Sequence, residues 1–144
     1  MTPTEFLSAM KSRGAIIAPP ATINQITFTN ATLQQRRHAM LPQTFIDLFT
    51  MAGGINLGSG YIFGPNEITR NGLYPIPNIV RVNDDIAPLG KTTGKTIFGR
   101  NDLFYFAFDV FGTCYLLDNL TLNPLRRYDY MYRAMIDCLI AGKI

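Results

Sequence analysis

The chain has 144 residues, of which 47% are hydrophobic and only 16% are charged. This composition predicts one globular domain over residues 1–144 and excludes a disordered protein, which has few apolar and many charged residues. No apolar run approaches the roughly 20 residues of a membrane-spanning helix, so we expect no membrane partner.

The net charge of +3 is small, and the basic residues are scattered apart from the pairs Arg36-Arg37 and Arg126-Arg127. Nucleic-acid-binding proteins usually carry a denser basic stripe, so we expect no nucleic-acid partner. The first residues show neither a basic nor a long apolar region, which argues against a secretory signal and predicts a cytoplasmic protein. Cys114 and Cys138 form no CxxC pair, and we expect two free, buried thiols.

Helices dominate the elements predicted for the first forty residues. Thr2 can cap a helix, Pro3 suits its first position, Glu5 completes a capping box, and Gly14 is a plausible stop. The other predicted elements here are short extended pieces at residues 15–17 and 23–28 and a polar helix at residues 32–40.

An amphipathic helix is predicted next. Pro42 can begin it, residues 43–52 carry apolar side chains three and four positions apart, and Gly53-Gly54 can end it. From Ile55 onward recurrent glycines predict short strands and tight turns. These are a strand at residues 61–63, a turn or short helix at 65–68, a loop at 72–77, an extended piece at 79–82 and a polar tip at 83–85.

The stretch GKTTGKT at residues 90–96 ends like a phosphate-binding P-loop. A P-loop needs a glycine five positions before the second glycine, and Leu89 stands there. The residues that follow predict a strand, whereas a P-loop opens a helix. We therefore expect a polar turn between two strands and no bound nucleotide.

Two strands and a final helix complete the chain. Residues 103–108 and 113–117 are apolar and partly aromatic, and Gly112 lies in the turn between them, which predicts a hairpin. A helix is predicted over residues 129–141, ending at Gly142. Its apolar stripe is more typical of core packing than of a partner-binding surface.

No set of residues predicts catalysis or metal binding. His38 is the only histidine, and no cysteine or second histidine stands at zinc-site spacing from it. The serines lie in no nucleophile elbow. Asp84 and Asp85 could bind a cation or act as paired acids, but neighbours in sequence usually point apart. We therefore predict a protein that is not an enzyme, with no catalytic residues, no metal and no cofactor.

The order of these elements resembles the SUKH superfamily, in particular its Smi/Knr-like branch. The resemblance is carried by Leu41-Pro42, Gly53-Gly54, YIFGP at residues 61–65, FGRND at 98–102, and FAFD at 106–109 followed by Gly112 and Tyr115. It covers about two thirds of the chain, while residues 1–40 match nothing in the family. The resemblance implies an α+β fold in which helices pack on a mostly antiparallel sheet.

Bacterial members of this superfamily are widely seen as immunity proteins, and fungal relatives look like interaction modules in cell-wall signalling. The resemblance thus implies binding to a cognate toxin domain without a cofactor. The basic charge is unusual for an inhibitor of a cationic nuclease, and suggests an acidic or neutral patch on the partner.

Two alternatives remain open at the level of sequence. One is a scaffold or regulatory module linked to cell-wall synthesis, and the other is a small-ligand binder or undetected enzyme that uses the glycine-rich residues 53–64. Exposed loops with aromatic or charged residues are the best candidates for contact with a partner. On that basis the predicted partner-binding residues are Tyr61, Arg70, Tyr74, Arg81, Asp84 and Asp85. The sequence leaves the identity of the toxin and the oligomeric state open.

Overall fold

Helices and an antiparallel sheet alternate along the chain in the computed structural model, which describes residues 1–70, 74–89 and 92–141, without the side chains of Arg70 and Tyr74. The elements are α1 (Pro3–Ser12), β1 (Ile16–Ile17), α2 (Ile23–Gln35), α3 (Gln43–Phe49), β2 (Ile55–Leu57), β3 (Gly60–Ile62), β4 (Ile68–Arg70), β5 (Tyr74–Ile76), α4 (Ile79–Ile86), a 3₁₀ turn (Ala87–Leu89), β6 (Lys95–Arg100), β7 (Phe104–Asp109), β8 (Cys114–Asp118), β9 (Pro124–Tyr128) and α5 (Met131–Ile140).

Seven of these strands form one sheet in the order β1-β2-β3-β6-β7-β8-β9, and β4 and β5 form a separate two-stranded ribbon. Every recorded strand pair is antiparallel. The expectation of an α+β protein with a mostly antiparallel sheet is confirmed.

The hairpin of β7 and β8 is also confirmed, and its turn has a clear local cause. The Asp109 carboxylate accepts hydrogen bonds from the backbone N–H groups of Phe111 and Thr113, at 2.9 and 3.0 Å. Gly112 adopts a φ of 79°, a conformation that residues with a Cβ rarely take.

The prediction for α1 is confirmed, but that for α2 is wrong. In α1 the Thr2 hydroxyl accepts the Glu5 N–H at 3.2 Å. Residues 23–28, expected to be extended, are the first half of α2, and the polar helix expected to reach residue 40 ends at Gln35. The helix starts at a capping box in which Thr22 and Gln25 exchange hydrogen bonds of 2.8 and 3.1 Å.

The prediction for residues 79–85 is likewise wrong, since an extended piece and a polar tip are replaced by the single helix α4. The Asn78 side chain caps it by accepting the Arg81 N–H at 2.9 Å. Ile79, Val82 and Ile86 are buried at helical spacing. Capping and burial therefore outweigh the β propensity of the Ile and Val residues.

Other boundaries differ less. The helix predicted at residues 43–52 ends at Phe49, and β5 occupies part of the loop predicted at residues 72–77, of which 72 and 73 lie outside the described residues. Gly90 and Lys91 of the P-loop-like stretch, and Gly142, also lie outside them. The described part of that stretch is a turn leading into β6, but it follows a helix and a 3₁₀ turn rather than a strand.

An aromatic cluster forms the core on one face of the sheet. The Phe45 ring of α3 packs against Phe98 of β6 and Phe108 of β7, with ring centroids 4.8 and 5.0 Å apart. Helix α5 packs closely against β3, because a Cβ added to Gly60 would lie 2.5 Å from the Cys138 carbonyl oxygen. Successive residues of a strand point to opposite faces of the sheet. The residues next to Gly60 and Phe108 in their strands therefore point away from α3 and α5.

Candidate partner-binding cleft

A row of three large side chains crosses that opposite face. Tyr61 of β3 pairs in register with Arg100 of β6, and Arg100 pairs with Tyr105 of β7. Since paired residues point to the same face, the three side chains are neighbours. The Arg100 guanidinium carbon lies 5.5 Å from the centre of the Tyr105 ring, and Tyr61 stacks on Phe63 at a centroid distance of 6.2 Å.

This row is the floor of a cleft of about 320 Å³. Helix α4 forms one wall through Val82, Asp85 and Ile86, and the segment that includes Pro75 and Pro77 forms the other. We call this site the α4 cleft. Apart from Asp85 its walls are apolar, and its floor combines aromatic rings with the Arg100 guanidinium, so the site offers contacts to an apolar side chain and to a charged group.

The charges of the α4 cleft are unevenly matched. Asp85 lies at its edge and pairs with Arg81 at 3.5 Å, one helical turn away. Arg100 is exposed, and no carboxylate among the described residues lies within 4.0 Å of it. The adjoining depression contains Asp102 beside Gly58 and Ser59. One guanidinium therefore lies on the floor of the cleft without an ion-pair partner within that part of the chain.

A buried asparagine fixes α4 against the sheet. The Asn83 amide donates to the Ile97 carbonyl at 2.9 Å and accepts the Ile97 N–H at 2.8 Å. Strand β3 ends at Ile62, opposite Gly99, so it offers Ile97 no strand partner. The side chain of Asn83 takes the place of that partner, and it thereby sets the position of the helical wall.

The six predicted partner-binding residues have different surroundings. Tyr61 and Asp85 line the α4 cleft, and Arg81 stands at its edge. Asp84 pairs instead with Arg36, the residue that follows α2, at 2.9 Å. Arg70 and Tyr74 are register partners in the ribbon of β4 and β5, and their side chains lie outside the described residues. Arg81, Asp84 and Asp85 belong to a helix, not to the loop expected from the sequence.

Of the residues that line the cleft, only Tyr61 and Asp85 were predicted, and sequence reasoning missed Arg100 and Tyr105 of its floor. The alternation of β7, in which Phe104, Phe106 and Phe108 share one face, places Tyr105 on the other face. Without the strand register, however, nothing in the sequence connects Tyr105 with Arg100 or Tyr61.

Three glycines of residues 53–64 have packing roles. A Cβ at Gly53 would overlap the Pro19 carbonyl oxygen, one at Gly64 would overlap the Gly53 carbonyl oxygen, and one at Gly54 would lie 3.0 Å from Ile68. Gly53, Gly54 and Gly64 therefore allow parts of the chain to approach one another. This observation weighs against a ligand site built from these glycines.

The thiols and the histidine lie in unreactive surroundings. Burial, with repulsion from Asp109, raises the pKa of the Cys114 thiol to about 12, and burial raises the pKa of Cys138 as well. His38 is buried, with its Nδ1 atom 3.0 Å from the Lys95 carbonyl oxygen. Within residues 1–70, 74–89 and 92–141, no three His, Cys, Asp or Glu side chains are placed to hold a metal ion.

A larger groove of about 900 Å³ runs along α5. Its main charged cluster is centred on Asp137, which accepts the Tyr128 hydroxyl at 2.9 Å and contacts Arg126 and Arg133 at 3.3 and 3.7 Å. These charged groups satisfy one another within the chain. The α4 cleft, where Arg100 meets no carboxylate of the described residues, is the better candidate for binding.

Within the described part of the chain, no helix combines the length and the apolar character needed to cross a bilayer. No protein-family model and no curated protein matches the sequence.

Proposed function

We propose that this chain is a protein-binding domain of the SUKH type that acts as an immunity protein, and that it neutralises a cognate toxin domain by direct contact through the α4 cleft. The observation that carries the proposal is Arg100, which lies beside Tyr61 and Tyr105 in an open cleft and has no carboxylate within 4.0 Å among the described residues. Tyrosine and arginine are among the residues that most often dominate the binding energy of protein interfaces.

The place of the motifs in the fold supports this proposal. Two of the segments that carry the SUKH resemblance include parts of neighbouring strands. Residues 61–65 include part of β3, and residues 98–102 include part of β6. Together they contribute Tyr61, Phe63 and Arg100 to the floor of the cleft. Motifs that meet at one exposed site fit a binding role better than a role in folding alone.

The chemistry of the nucleophilic side chains also favours binding over catalysis. A thiol attacks as its thiolate, and the raised pKa values of Cys114 and Cys138 keep both protonated near neutral pH. The buried imidazole of His38 is directed at a backbone carbonyl of the chain itself. Neither arrangement provides an activated nucleophile with an adjacent base.

The experiment uses the C-terminal domain of a large secreted protein encoded directly upstream in the host genome. We expect this domain to bind the chain with a dissociation constant on the order of nanomolar, and co-expression of the chain to protect cells from it. Alanine at the exposed Arg100 should weaken binding without lowering the melting temperature, whereas alanine at Tyr61, which packs on Phe63, should also reduce stability. The matched control is Arg127→Ala, which removes an exposed strand arginine outside the cleft.

Other outcomes would change the proposal. If such a domain neither binds nor is neutralised, the immunity role is wrong. Recovery of cell-wall or division proteins as the partners that bind through Arg100 would favour the scaffold role instead.

A further inference from the structure

We infer that the α4 cleft binds an extended segment of its partner in which an Asp or Glu stands beside an apolar side chain, with the carboxylate on Arg100. This inference rests on the protein-binding role proposed above and specifies the chemistry that the cleft recognises. It assigns to Arg100 the role of reading charge and to the apolar walls the role of holding the neighbouring side chain.

The surroundings of Arg100 leave its guanidinium open to a carboxylate of a partner. Tyr105 covers the guanidinium at 5.5 Å, while the nearby Asp85 is already paired with Arg81 at 3.5 Å. The N–H groups along the edge of a guanidinium can donate two parallel hydrogen bonds to one carboxylate. The residue is thus arranged to bind a carboxylate that the described chain does not supply.

The walls of the cleft offer apolar contacts to a partner. Pro75, Pro77, Val82 and Ile86 line the sides of the cleft above the ring of Phe63. Its volume of about 320 Å³ lies at the lower end of the range for ligand pockets, roughly 300–1,000 Å³. A site of this size suits one anchoring side chain and the backbone on either side of it, which favours a short segment over a broad flat surface.

The surrounding charges favour a protein segment over a nucleic acid. Asp85 lines the cleft and Asp102 lies in the depression that shares Tyr61 and Arg100 with it. Successive phosphates of a nucleic acid would meet these carboxylates, whereas one isolated carboxylate needs only Arg100. Charge complementarity therefore points to a segment with a single acidic residue at this position.

The test selects peptides from a displayed library of random dodecapeptides on the full-length protein. We expect the enriched sequences to share an Asp or Glu within two positions of a Leu, Ile, Met or aromatic residue. A synthetic peptide of that consensus should bind, and Arg100→Ala should weaken it about tenfold or more. Changing the peptide carboxylate to the amide should weaken the affinity for the wild-type protein by a similar factor. The same change should leave the affinity for the Arg100→Ala variant unaltered.

Two controls separate recognition from folding. Arg127→Ala should leave peptide affinity unchanged, and Arg100→Ala should keep the wild-type melting temperature. In amide NMR spectra the peptide should shift the signals of Tyr61, Val82 and Tyr105 more than those of α5.

Several results would overturn the inference. One is a peptide consensus without a carboxylate, and another is a peptide affinity that Arg100→Ala does not change. A third is Arg100-dependent binding of a polyuridine oligonucleotide that is tighter than binding of the peptide. The last is a dimer of the chain that Arg100→Ala dissociates. Because peptide selection needs no toxin, its outcome is independent of the immunity role. A toxin domain that binds without Arg100 would refute only this inference, and a carboxylate peptide that binds through Arg100 in the absence of any toxin partner would refute only the proposed function.

Discussion

Replacing Asn83 with alanine tests whether one amide holds the helical wall of the cleft. Asn83 is buried, and its side chain makes three hydrogen bonds, two to the backbone of Ile97 and one to the Ile79 carbonyl at 2.8 Å. The alanine variant leaves the Ile97 N–H and carbonyl without these partners. The Ile79 carbonyl lies inside α4 and keeps its helical backbone bond.

The magnitude follows from the two groups that lose their partner. Each buried backbone group left unpaired costs about 1–3 kcal/mol. Alanine is a better helix former than asparagine by about 0.5 kcal/mol, which offsets part of the loss. We therefore expect the free energy of unfolding to fall by about 1.5–5.5 kcal/mol and the melting temperature to fall by about 10 °C.

Urea denaturation followed by circular dichroism measures this change directly. Asn24→Ala is the matched control, because Asn24 is an exposed residue of α2 and the substitution is the same. The control should change stability by less than about 0.5 kcal/mol. If the two variants lose the same stability, the amide of Asn83 does not hold α4 to the sheet, and the reasoning is wrong.

Two further predictions concern the opposite face of the sheet and the buried thiols. Gly60→Ala should lower the free energy of unfolding by about 1–3 kcal/mol, because the new Cβ meets the backbone of α5. The displaced helix should then expose Cys138 to a thiol reagent. Gly58 has open space around it, so Gly58→Ala should leave Cys138 protected. The raised pKa of Cys114 means that the native state holds its proton longer than the unfolded state, so stability should fall as the pH rises from 9.0 to about 12. Urea midpoints measured across that window check this, Cys114→Ala should reduce the slope, and a flat profile would contradict it.

Local patterns were sufficient to predict some elements and insufficient for others. The hairpin of β7 and β8 and the helix α1 were predictable because their signals, a turn glycine and a cap at Thr2, lie within a few residues. Helices α2 and α4 were missed because Ile, Val and Thr have β propensity, and the caps at Thr22 and Asn78 were overlooked. Their helical state also depends on burial against the rest of the fold.

The candidate site was harder to predict than the fold because its residues come from separate strands. Tyr61 was identified as an exposed aromatic residue, but its neighbours Arg100 and Tyr105 lie about 40 positions further along the chain. Only the register of β3, β6 and β7 brings them together. A sequence pattern with a period of two predicts the face on which a residue lies, but not the residue beside it on the next strand.

Two pairs of adjacent residues, in β3 and β6, each contribute one residue to either face of the sheet. Experiments can therefore separate the effect of a substitution on stability from its effect on binding. Gly60 precedes Tyr61 and Gly99 precedes Arg100, and in each pair the glycine faces α5 while the large side chain faces the α4 cleft. Because successive residues of a strand point in opposite directions, the glycine permits close packing of the helix without altering the open surface. Substitutions at the glycines should therefore reduce stability, and substitution of the exposed Arg100 should reduce binding alone.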